Sequence, residues 1–124
     1  MIRTAWVWIA RTIFIVFAVV LLAATLSEAW SSMKFTVFRQ ADKVAHFWSM
    51  YIFTSVSLLA FPEVRSGCLF LGAIAIAALI EAAQLFGPRT ADVLDLAASI
   101  AGIVAVALVY FSPKLRSKAK REEN

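Results

Sequence analysis

Residues 81–95 read EAAQLFGPRTADVLD, and this stretch decides how the chain folds. Apolar runs long enough to cross a bilayer lie on both sides of it, so Gly87-Pro88 reads as a turn between two spanning helices. Glu81 and Gln84 fall inside the end of the first run. Asp92 and Asp95 fall inside the start of the second. A carboxylate near the centre of a membrane helix costs roughly 2.5–3.5 kcal/mol on insertion scales. Four polar groups around one tight turn therefore mark a candidate site.

Outward from this turn the same pattern repeats. Four apolar segments are expected at about 12–30, 44–61, 67–86 and 91–111, each near the ~20 residues a spanning helix needs. Pro62, Gly87-Pro88 and Pro113 follow the second, third and fourth, as natural stops. Trp6, Trp8 and Trp30 flank the first, where interfacial aromatics belong. The expectation is an all-α, four-helix transmembrane bundle forming a single domain over residues 1–124. Apolar residues make up 62% of the chain and charged residues 16%, which excludes an ordinary soluble domain. The net charge of +4 comes from basic residues gathered at the two ends beside apolar runs. That arrangement suits anionic lipid head groups and argues against nucleic acid. A lone Cys68 has no partner for an intramolecular disulfide. The first segment also loosely matches a cleavable signal peptide ending near Ser27-Glu28-Ala29, but its apolar stretch is long for one.

Basic residues set the expected orientation. With the N-terminus cytoplasmic, the inside holds eight: Arg3, Arg11, Arg65, Lys114, Arg116, Lys118, Lys120 and Arg121. The outside holds four: Lys34, Arg39, Lys43 and Arg89. Both termini are therefore expected inside, in a bacterial plasma membrane, and the turn at 87–90 outside.

Three polar stripes converge on that outer side. Asp42 and His46 lie four apart and share a helix face. Glu81 and Gln84 lie three apart, and Ala73 and Ala77 continue their face with residues small enough for close helix approach. Asp92, Asp95, Ser99 and Gly102 are spaced three, four and three, a single helical stripe. Asp42, Glu81, Asp92 and Asp95 bring four negative charges, against Lys43 and Arg89. A proton on His46, protonated carboxylates, a bound cation or a cationic ligand would close the difference. A histidine among carboxylates is the side chain suited to proton transfer near neutral pH.

The motifs Asp42-Lys43-x-x-His46-Phe47, Glu81-x-x-Gln84, Pro88-Arg89 and Asp92-x-x-Asp95-x-x-Ala98-x-x-x-Gly102 resemble the VanZ-like family. Those are small multi-helix membrane proteins named for a component associated with teicoplanin resistance. The resemblance runs from about Asp42 to Gly102. It departs at Ser99, where the family often has Asn, and a hydroxyl replaces only part of what a carboxamide does. It implies a cell-envelope role without naming a reaction.

The candidate catalytic residues are His46, Glu81, Asp92 and Asp95, as proton donors and acceptors. Candidate binding residues are Asp42, Lys43, Gln84, Arg89 and Ser99. A His-plus-carboxylate set can hold a divalent cation, but no strict spacing such as His-x-x-x-His occurs, so no metal ligands are assigned and the cofactor is unknown. Ser49 and Ser99 lack the activating context of a nucleophile. The plainer readings stand beside these: Asp42 and Asp92 as helix caps, Arg89 as the salt-bridge partner of Asp92, Gln84 as interhelical glue. Three classes of function remain. One is an enzyme acting on a lipid-linked or cell-wall intermediate. The second is a non-catalytic binder of a lipid head group or a glycopeptide amine. The third is a polar clasp in a small membrane bundle. Membrane lipids are the expected partners, with a homo-oligomer required for any transport.

Overall fold

Long apolar stretches without internal breakers can satisfy their backbone in lipid only by forming helices. The structure, a computed structural model, describes residues 2–26, 41–87 and 91–122, and among these the regular elements are all helices. They are α1 (Ile2–Leu26), α2 (Ala41–Ala60), α3 (Ser66–Gln84) and α4 (Val93–Glu122). Three of them contain segments long and apolar enough to cross a membrane: Arg3–Thr25, Ser66–Gln84 and Val93–Lys114. The chain is in this respect consistent with an integral membrane protein. α2 falls outside that set, because Asp42, Lys43, His46 and several hydroxyls interrupt its apolar residues.

α2 is instead the best-packed element, lying chiefly against α4 and α1, while α3 packs on α4 and α2. Met50 and Phe53 of α2 meet Phe70, Ala73 and Ala77 of α3 and Ile103 and Val106 of α4 in one core. Phe14 of α1 closes it, with its ring 5.0 Å from Phe53 and 5.2 Å from Phe61. Two hydroxyls of α2 are absorbed by their own helix, Ser55 Oγ donating to Tyr51 O at 2.8 Å and Ser57 Oγ to Thr54 O at 2.7 Å, while Thr54 Oγ1 is buried without a partner. Gly102 lets α2 and α4 touch through their backbones. A Cβ there would run into the Phe47 carbonyl oxygen and come within 3.1 Å of Tyr51 N.

Two expected boundaries are corrected. The first helix starts at Ile2 rather than about residue 12, so Trp6, Trp8 and Arg11 belong to it. Arg11 then works as a tie: Nε donates to Ala60 O at 3.0 Å, at the end of α2, and Nη2 pairs with Glu63. The last helix does not stop before Pro113 but continues through it to Glu122. Proline deletes one N–H donor, and a chain leaving the apolar zone at this point can give the freed carbonyl to water. Lys114 there lies 4.7 Å from the Tyr110 ring. Pro62 does sit in the turn after α2, as expected, and α3 ends at Gln84, two residues before the expected 86. The loop at 27–40, with the suggested cleavage site, Trp30, Lys34 and Arg39, lies outside the described residues, as do residues 88–90.

Candidate functional site

The C-terminal ends of α1 and α3 and the N-terminal ends of α2 and α4 meet at one end of the molecule. Exposed N-terminal amides make such ends favourable for carboxylates, and Asp42, Asp92 and Asp95 all lie there.

Asp92 stands just before α4 and caps it. Its Oδ1 accepts from Leu94 N at 2.9 Å, and its carbonyl accepts from Asp95 N at 2.9 Å. The Leu94 amide, with Lys43 assisting against partial burial, holds the Asp92 carboxyl below its ordinary value of 3.8. Glu81 reaches across from α3, and its Oε1 accepts the Asp92 backbone N–H. This repeats the logic of a capping box, with the acid supplied by a neighbouring helix. Buried Glu81 thus fastens α3 to the head of α4.

Lys43 sits between the two aspartates of α4, with Nζ 3.3 Å from Asp92 Oδ2 and 3.6 Å from Asp95 Oδ1. The expected partner of Asp92, Arg89, lies outside the described residues, so the binding role assigned to Arg89 does too. Among the described residues Lys43 is the cation at the site.

His46 occupies the centre. Its Nε2 is 3.6 Å from Asp42 Oδ1 on its own helix and 3.6 Å from Asp95 Oδ2 on α4. Its Nδ1 is 3.3 Å from Ser99 Oγ. Asp95 and Ser99 are buried, each 3% exposed. Ser99 therefore does have a place here, orienting the imidazole ring. A cavity of about 60 Å³ opens against the cluster, lined by Thr25, Asp42, His46, Ser49, Ala77 and Ser99 among others.

The structure thus brings together Asp42, Lys43, His46, Asp92, Asp95 and Ser99, with Glu81 joined through the Asp92 amide. Gln84 is buried one turn beyond Glu81, and neither of its amide atoms has a hydrogen-bond partner. Two features escaped the sequence reading. Thr25 and Ser49 line the cavity, and the only available signal was a hydroxyl close to the end of an apolar run. The second is that Asp42, His46 and Asp95 each offer a ligand atom, all within 4.8 Å of one another. Spacing along one helix could not reveal a set divided between two. In comparisons with known proteins, no family model, no curated protein and no solved structure matches the chain.

Proposed function

We propose that this chain is a VanZ-like integral membrane protein of the bacterial cell envelope, with both termini cytoplasmic and all four helices embedded. Its working site is the His46 cluster, facing the outer leaflet. There it acts on a lipid-linked or cell-wall intermediate or contributes to teicoplanin resistance. α2, although too polar to count as a span by itself, is screened from lipid along its polar face by α1, α3 and α4.

The observation that carries this reading is the position of His46 Nε2, at 3.6 Å from both Asp42 and Asp95. A ring held by Ser99 at Nδ1 and flanked by carboxylates at Nε2 can take up or release a proton without reorienting. The cavity beside it admits solvent or a small polar group. Glu81 and Asp92 act on this reading by fixing α4 in register, and Lys43 offers a positive charge to an anionic head group. A second reading, binding of an antibiotic or lipid amine without turnover, draws support from the carboxylates Asp42, Asp92 and Asp95 gathered around His46 and Lys43, with Asp42 lining the cavity.

Substitution separates these. The chain is expressed in a teicoplanin-sensitive bacterium and survival is measured against membrane content of the protein. For proton transfer, His46→Ala and His46→Gln both remove the effect while membrane insertion and thermal midpoint stay near wild type. For a binder, His46→Gln is tolerated and Asp95→Asn is not. A large loss of folded protein in every variant supports the clasp and sinks both.

A further inference from the structure

The carboxylates around His46 Nε2 stand at ion-pair distance, beyond direct hydrogen bonding. N–H···O bonds lie at about 2.7–3.2 Å, whereas Nε2 stands 3.6 Å from each of two carboxylate oxygens. A coordination shell has a different edge. Two donors, each about 2.0–2.2 Å from a zinc ion at a tetrahedral angle, are about 3.3–3.6 Å apart. The observed separations fall at that edge, and the three ligand atoms lie within 4.8 Å of one another.

Asp95 points the same way independently. It is 3% exposed; its Oδ2 faces His46 Nε2 at 3.6 Å, and its other oxygen, Oδ1, is buried on the side of Lys43 with no hydrogen-bond donor. The nearest cation, Lys43 Nζ, is 3.6 Å from that oxygen and closer to Asp92, at 3.3 Å. A buried carboxylate ordinarily collects donors or a metal ion. Beside Asp42, His46 and Ser99 the cavity supplies the room for a further ligand: about 60 Å³, where one water needs on the order of 10–15 Å³. Ser99 supplies the outer support. With Nε2 on a metal, Nδ1 carries the proton and donates to Ser99 Oγ at 3.3 Å, the arrangement that fixes a metal-bound imidazole.

We propose that Asp42, His46 Nε2 and Asp95 form a three-ligand site for a divalent first-row metal ion of the zinc class. The fourth position opens to the cavity, where water or an oxygen of an anionic head group completes the shell. One imidazole and two carboxylates favour zinc or manganese over calcium. The proposal rests on the His46 cluster as the working site and changes its chemistry: a metal held by Nε2 excludes proton transfer at that nitrogen, so the cation and its open position take that role.

The test uses the tag-free full-length chain in detergent, stripped with chelator, with zinc binding measured by calorimetry and by elemental analysis. One zinc per chain is expected, and a visible spectrum of four-coordinate cobalt when Co²⁺ replaces it. Affinity falls at least 100-fold in Asp95→Asn and His46→Gln, and 10- to 100-fold in Ser99→Ala. Cys68→Ser, at an exposed thiol, leaves it unchanged. Zinc raises the thermal midpoint of wild type and not of His46→Gln. Absence of saturable binding up to millimolar zinc, or binding equal in wild type and both ligand variants, overturns the site. Should Asp95→Asn fail to fold, His46→Gln and Ser99→Ala carry the decision. Zinc binding is read without reference to teicoplanin. A His46-dependent survival effect without zinc binding overturns the metal site alone, and zinc binding without that effect overturns the functional reading alone.

Discussion

Glu81 and Asp95 are both buried carboxylates, yet their surroundings differ. Glu81 accepts the backbone N–H of Asp92, so its cost in a membrane is offset by an otherwise orphaned helix amide. Asp95 Oδ1 has no donor, and the Asp95 carboxylate faces Lys43 and His46 at 3.6 Å. For stability, a neutral side chain of the same shape serves as well at position 95, since Lys43 keeps Asp92. Asp95→Asn is expected to leave unfolding in detergent within about 1 kcal/mol of wild type while removing function. A loss of several kcal/mol would show that Asp95 is a structural clasp. The acidic residues were legible in the sequence because charge is rare at membrane depth. Asp92 as a cap was legible too; that Glu81 joins it, and that Asp42 and Asp95 share His46, was not, because these uses differ only in which neighbour each oxygen meets.

At the scale of elements, the contact between α2 and α4 depends on Gly102. A methyl group at this position meets the Phe47 carbonyl and Tyr51 N, which are backbone atoms and cannot rotate away. Gly102→Ala is expected to cost about 1–3 kcal/mol by forcing the helices apart, and to loosen the spacing between His46 and Asp95. Gly72 in α3 is the control: nothing lies within 4 Å of its added Cβ. Gly72→Ala is expected to be neutral or to stabilise by roughly 0.5–1 kcal/mol. Unfolding midpoints of the two variants in the same detergent decide the matter, and equal effects would refute the close-approach account. The stripe through Asp92, Asp95, Ser99 and Gly102 was readable from spacing alone, as was the buried face of α3 through Ala73, Ala77, Glu81 and Gln84. The ends of α1 and α4 were not. Arg11 looked like a flanking charge until Glu63 and Ala60 O were found beside it. Pro113 looked like a stop because sequence does not show whether a lost backbone bond can be replaced.

For the whole molecule, the remaining question is which way it sits. The eight-to-four division of basic residues is the ground for proposing the C-terminal tail in the cytoplasm. An enzymatic reporter fused after Asn124 is expected to be active only when cytoplasmic-competent, and activity of a periplasmic reporter there would reverse the orientation and move the His46 cluster to the inner leaflet. What the amino-acid sequence determined by itself is the solvent and the elements: apolar runs of near-bilayer length must be helical, and the four carboxylates must lie near their ends. Tertiary structure alone decided which of those groups share a site. Helical periodicity orders residues along one face, but Asp42 and His46 reach Asp95 only because Gly102 brings α4 against α2, and no spacing within either helix encodes that distance.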